Sequence, residues 1–158
     1  MLIHPQIDPI ALQLGPLKLH WYGLMYLFAF LSFIQLGKKQ LKRTWWGDLN
    51  ENILDDTFFY GAIGVILGGR LGYVLFYQPI YYLSNLDQVF AFWQGGMSFH
   101  GGFLGVLISL IFVTKKHRIS WLRLTDFIAP LIPIGLGFGR IGNFINQELW
   151  GRPTDLPW

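Results

Sequence analysis

Four apolar runs, each close to the length of a bilayer crossing, constrain this chain more than any other feature. Residues 19–37 carry no charge and one histidine. Residues 58–77 carry a single charge, Arg70, and residues 127–146 a single charge, Arg140. Residues 97–113 carry none, with His100 as their one titratable group. A hydrocarbon core about 30 Å thick is crossed by around 20 helical residues rising about 1.5 Å each. A helix on a soluble core would show a polar face at helical period, and these runs show little of one. Charged residues make up 13% of the 158 positions, where a soluble domain has about 25%. A disordered tail and a small soluble enzyme are thereby excluded. The expected fold is all-α: one integral-membrane domain over 1–158, a polytopic helical bundle with about four spans at 19–37, 58–77, 97–113 and 127–146.

The basic residues set an orientation. Lys38, Lys39, Lys42 and Arg43 follow the first run, and Lys115, Lys116, Arg118 and Arg123 lie between the third and fourth. Lys18 and Arg152 are the only others outside the runs. The positive-inside rule counts Lys and Arg and puts the basic side in the cytoplasm. The N-terminus, the 78–96 loop and the C-terminal end then face outward. Trp21, Tyr22, Tyr81, Tyr82, Trp93, Trp150 and Trp158 mark the outer interface, and Trp45, Trp46 and Trp121 the inner one. The net charge of +3 follows from topology, so no nucleic-acid partner is expected. Residues 1–16 hold no basic residue and are not the start of a signal peptide. Pro5, Pro9 and Pro16 punctuate an outward-facing leader.

Several constellations carry chemistry. Gly64, Gly68 and Gly72 recur every four residues, as do Gly101 with Gly105 and Gly135 with Gly139. Such stripes allow close helix approach or leave space beside the backbone. The run 137–142 fits GxGxxG, but a dinucleotide fingerprint needs a strand before it and a helix after it. Here Pro130 and Pro133 lie in an apolar run with no strand signal. Arg140 in mid-span must face protein, water or an anion. On a helix, Asn143 and Gln147 share its face, with Asn146 and Glu148 flanking. An Arg140–Glu148 pair is the plain alternative to an anion site. Arg70 is either structural or functional, and Gly68, Gly69 and Gly72 leave room beside it for a bound group. Neutral His100 is able to accept a proton near pH 7, between glycines that thin the packing. Tyr22 is an anchor or a hydrogen-bond donor to phosphate. His4 and His20 have no metal-ligand spacing, and the chain has no cysteine. This polar set suits an anionic lipid headgroup or an ion pathway equally well.

The run Gly139-Arg140-Ile141-Gly142-Asn143-Phe144-Ile145-Asn146-Gln147-Glu148-Leu149-Trp150-Gly151 resembles the signature of the prolipoprotein diacylglyceryl transferases. It fits G-R-x-G-N-F-x-N-x-E-x-x-G throughout. The segments 20–26, 68–73 and 95–102 resemble the family too, in the family's order. The resemblance implies a bacterial inner-membrane enzyme. Such an enzyme moves the diacylglyceryl group of phosphatidylglycerol to the lipobox cysteine of a prolipoprotein. A thioether forms and glycerol phosphate is released, without metal or organic cofactor. By matching position, His100, Arg140 and Tyr22 are the expected catalytic residues. Arg140, Asn143, Asn146, Glu148, Gly151 and Arg70 are the expected substrate-binding residues. The family continues past the signature with further spans and a second essential arginine. Residues 1–158 therefore read as an N-terminal part, expected to be inactive alone. The rival classes are a transporter and a non-catalytic assembly subunit. A transporter should show interrupted spans in two related halves, and only the fourth run here holds proline.

Overall fold

The computed structural model describes residues 5–91 and 95–149. His4, Trp93, Trp150, Gly151, Arg152 and Trp158, used above, lie outside the described residues. The elements in order are β1 (Ile10–Leu14), β2 (Leu17–His20), α1 (Trp21–Leu41), α2 (Glu51–Phe76), α3 (Pro79–Ser84), α4 (Phe99–His117), α5 (Trp121–Ile128) and α6 (Ile132–Ile145). Short 3-10 turns occupy Thr44–Trp46, Leu86–Gln88 and Ala129–Leu131. Among the described residues, three stretches are helical, long and apolar enough to cross a membrane: Glu51–Phe76, Phe99–His117 and Trp121–Ile145. With its 21 residues α1 has the length, but Trp21, Tyr22, Tyr26, Gln35 and its two lysines dilute its hydropathy.

The chain divides into two compact units, Lys38–Ile128 and the pair Met1–Gly37 with Ala129–Trp158. In the first, α2 and α4 pack along their length. Asn50 starts α2 by accepting the Ile53 N–H at 3.1 Å, which satisfies one orphan donor of the first turn. Ser98 starts α4 the same way, its Oγ accepting the Gly101 N–H at 3.2 Å. Lys115, Lys116 and His117 close the last turn of α4, where cations oppose the helix dipole. The glycine stripes meet face to face. A Cβ on Gly64 would stand 2.5 Å from the Gly105 carbonyl oxygen, and one on Gly72 would stand 2.7 Å from the Gly101 Cα. Backbone thus lies on backbone, the packing alternative of the sequence reading. The space expected for a bound group beside Gly68, Gly69 and Gly72 is filled by α4 and by Met97 and Ser98. That expectation is corrected: α2 and α4 are too close for anything else to enter.

At the basic end of this unit Leu54, Val113, Leu124 and Phe127 are buried almost completely. The short helix α5 is amphipathic and turns Leu124, Phe127 and Ile128 inward. Arg123 holds the Asp48 carboxylate through Nε at 3.0 Å and Nη2 at 2.9 Å, donates to the Trp45 carbonyl and lies over the Trp46 ring. The apolar run from 127 to 146 is not one straight helix. Pro130 lacks an N–H and Pro133 fits the first turn of a new helix, so the chain breaks at Ala129–Leu131 before α6.

The other unit opens with a feature that was not expected. Within the proline-punctuated leader, residues 10–20 form an antiparallel hairpin, with Leu14 opposite Leu17, Gln13 opposite Lys18 and Leu12 opposite Leu19. Gly15, at φ +59°, supplies the turn. The hairpin runs directly into α1, and the Trp21 N–H donates to the Pro9 carbonyl at 3.0 Å.

Candidate active site

The signature run forms the end of α6 and a reversal beyond it. The helix stops at Ile145, and Asn146 caps it by donating its backbone N–H to Gly142. Gln147 and Leu149 then take left-handed conformations at φ 59° and 55°. For a bulky residue such as Leu149 this is an uncommon, strained state. The reversal at Gln147 is closed by the Glu148 N–H, which donates to the Asn143 carbonyl at 2.8 Å. Gln147 therefore does not extend the Arg140 and Asn143 face, because the helix has ended. The reversal instead carries Glu148 back over the helix end. Its carboxylate accepts from Asn143 Nδ2 at 3.3 Å and from Asn146 Nδ2 at 3.4 Å.

Arg140 lies one turn earlier on α6 and is exposed. Among the described residues it makes no ion pair. The Arg140–Glu148 pair does not form, because Glu148 is turned to the two amides. Asn146 Oδ1 is buried without a hydrogen-bond partner among the described residues, an acceptor ready for a donor. Gly142 lets the Tyr22 ring lie against α6, since a Cβ there would meet Cδ2 of Tyr22 at 2.7 Å. The Tyr22 ring also lies 5.2 Å from that of Tyr26, and Asn143 and Glu148 are close enough to act on its hydroxyl. This unit thus brings together Tyr22, Asn143, Asn146 and Glu148, beside an uncommitted cation on the same helix. Tyr26 was not foreseen. Its position four residues after Tyr22, one turn along α1, was the available signal.

In the other unit His100 stands in the first turn of α4, exposed, with its ring edge-on to Phe99 at 5.8 Å. Arg70 is different from the other candidates. It is 1% exposed, and all three guanidinium nitrogens donate to backbone carbonyls of residues 88, 89, 95 and 96. Four of its five N–H donors are thereby taken by backbone, and the side chain is buried. Gly151 lies outside the described residues.

Comparison with known proteins agrees with the signature. Residues 9–158 match the family model described as prolipoprotein diacylglyceryl transferase. The chain is 61% identical over its whole length to a protein of Nitrosomonas europaea and 62% identical to one of Nitrosospira multiformis. A protein of Methylobacillus flagellatus is 56% identical over 161 aligned residues. All three are named phosphatidylglycerol–prolipoprotein diacylglyceryl transferase. The chain covers 57%, 55% and 62% of these relatives in turn, so it spans little more than half their length. With a family model matched over nearly all its residues, the chain belongs to the prolipoprotein diacylglyceryl transferase family.

Proposed function

We propose that this chain supplies the headgroup-binding and proton-accepting parts of a phosphatidylglycerol–prolipoprotein diacylglyceryl transferase. It does so in the bacterial inner membrane, as one domain over 1–158 with four spans and the N-terminus outside. The substrates are phosphatidylglycerol and the lipobox cysteine of a prolipoprotein. The observation that carries this reading is the exposed Arg140, without an ion pair among the described residues, on the helix that ends in the Asn143, Asn146 and Glu148 turn.

In the reaction, the cysteine sulfur attacks a glycerol carbon of the lipid. A C–S bond forms as the C–O bond to phosphate breaks. The thiol proton passes to a base, and glycerol phosphate leaves with the electron pair of the broken bond. A thiol is mostly protonated at neutral pH, so a base beside it raises the thiolate fraction. His100 takes that role. Charge grows on the departing phosphate, and a fixed guanidinium stabilises it most in the transition state. Arg140 takes that role, with two parallel hydrogen bonds available to phosphate. Asn143, Asn146 and the Tyr22 hydroxyl hold the glycerol and phosphate oxygens, and Glu148 orients the two amides. Gly151 is carried over from the signature as a further substrate-binding residue.

The test is transfer of labelled diacylglycerol to a lipobox peptide by the intact protein in membranes. Losing one donor to a developing oxyanion costs about 10²–10³ in rate. Arg140→Ala is expected to lose at least that much, and normal transfer by Arg140→Ala would remove this residue from the site.

A further inference from the structure

We infer that Arg70 is a positioning residue, which ties the segment after α3 to α2 and so fixes the start of α4 where His100 stands. The inference rests on His100 acting as the base. Near the outer end of α2, Arg70 Nε donates to the Val89 carbonyl at 2.7 Å and Nη2 to the Gln88 carbonyl at 2.7 Å. Nη1 donates to the Gly95 carbonyl at 2.5 Å and to that of Gly96 at 3.4 Å. The guanidinium carbon lies 5.2 Å from the centre of the Tyr82 ring. No described carboxylate pairs with Arg70, so carbonyl dipoles from two stretches of chain solvate its charge.

The clamp leads to His100 within a few residues. Gly95 and Gly96 sit at φ 77° and 79°, a conformation that side chains rarely adopt. A Cβ on Gly96 would also meet the Tyr73 ring at 2.5 Å. The Ser98 N–H donates to the Gly69 carbonyl at 2.8 Å, beside Arg70, and the Ser98 side chain caps α4. Gly95, Gly96 and Ser98 are thereby tied to residues 69–73 of α2. A planar fork with diverging donors reaches both stretches, whereas a lysine ammonium concentrates its donors at one point. A base must lie within hydrogen-bond reach of the proton it takes, and a misplacement of about 1 Å costs about 10²-fold.

The experiment uses Arg70→Lys and Gly96→Ala in the intact protein in membranes, with rates normalised to folded protein. Ala91, 2% exposed, is replaced by cysteine to report on the segment. In Arg70→Lys, labelling of Ala91→Cys is expected to accelerate at least tenfold. The kcat for transfer should fall at least tenfold, with KM for phosphatidylglycerol within about twofold of wild type, as expected for misplacement of a catalytic group. The acid limb of the pH–kcat profile should also move. Gly96→Ala, which keeps the guanidinium, should reproduce these changes. Gly61→Ala, where an added Cβ on α2 meets nothing within 4 Å, should leave the pH profile in place. A raised KM with unchanged kcat in Arg70→Lys and no effect of Gly96→Ala would make Arg70 a headgroup ligand and overturn the inference. So would unchanged labelling, or faster labelling with unchanged kcat and pH profile. Full activity in His100→Gln would sink the base assignment separately, leaving the labelling to judge the clamp.

Discussion

Replacing Gly64 by alanine tests the close approach of α2 and α4, with Gly61→Ala on the same helix as its control. At Gly61 an added Cβ has nothing within 4 Å. At Gly64 it would stand 2.5 Å from the Gly105 carbonyl oxygen and 2.8 Å from the carbonyl carbon. Relaxed contacts between carbon atoms are about 3.5–4.0 Å, so α2 and α4 must separate locally by about 1 Å. The Ser109 hydroxyl, which is closer still, is free to rotate away, but the Gly105 backbone has no rotamer to change. A gap of that size forfeits roughly a quarter to a half of each facing dispersion contact, and overpacking of this kind costs about 1–3 kcal/mol. Both substitutions gain the same helix propensity, about 1 kcal/mol, so the difference between them isolates the packing. That difference is about 1–3 kcal/mol, or about 5- to 150-fold in the unfolding constant. Gly61→Ala should be neutral or slightly stabilising, and Gly64→Ala clearly less stable, in reversible unfolding from detergent micelles. Equal stabilities would refute the reasoning, because they would mean that the helices do not approach through this stripe.

Other outcomes follow from the same structure. Arg140→Lys should recover little of the transfer lost in Arg140→Ala, since an ammonium cannot make the paired hydrogen bonds to phosphate; full activity would mean that charge alone suffices. With no native cysteine, an impermeant outside reagent should label Asp87→Cys and spare Gly47→Cys, and the reverse pattern would invert the proposed topology. Asp56, outside the 58–77 span, accepts from Lys116 at 2.7 Å and from His117 at 2.5 Å, and these partners, Lys116 foremost, hold its carboxyl below the ordinary range. A depressed carboxylate stabilises the fold above its unfolded pKa of about 3.9, and loses that contribution as pH falls through the folded value. Melting temperature should therefore drop below about pH 4 in wild type and drop less in Asp56→Asn, and parallel curves would show that the pair contributes nothing.

What the sequence made legible, and what it did not, divides along a physical line. Apolar run length is a local property, and the helices α2 and α4 and the stretch through α6 appear where the runs are. Glycine spacing is nearly local too: i, i+4 puts Gly64, Gly68 and Gly72 on one stripe wherever the helix lies, and a stripe without side chains finds backbone. The hairpin was written in the sequence as well, since Leu12-Gln13-Leu14 and Leu17-Lys18-Leu19 alternate about Gly15-Pro16, a strand period with a turn between. Its four residues or so per strand were hidden beside runs of helical length.

Arg70 and the signature end depended on more than local pattern. A buried arginine and a binding arginine look alike in sequence, because both are single cations in an apolar run. Their roles differ in what answers the charge, and for Arg70 the answer comes from carbonyls 18 to 26 residues further on. In the signature, counting at helical period held as far as Asn143 and failed at Gln147, because the helix ends at Ile145. The polar residues after that point are arranged by the turn. Asn143 and Asn146 use their amides on Glu148, and Glu148 donates its backbone N–H to Asn143, so the three residues close on one another. A carboxylate held in this way answers the amides and leaves the neighbouring arginine its charge. That arrangement is the reverse of the ion pair that proximity in sequence suggested, and it suits a helix whose cation is kept for an anion from outside the chain.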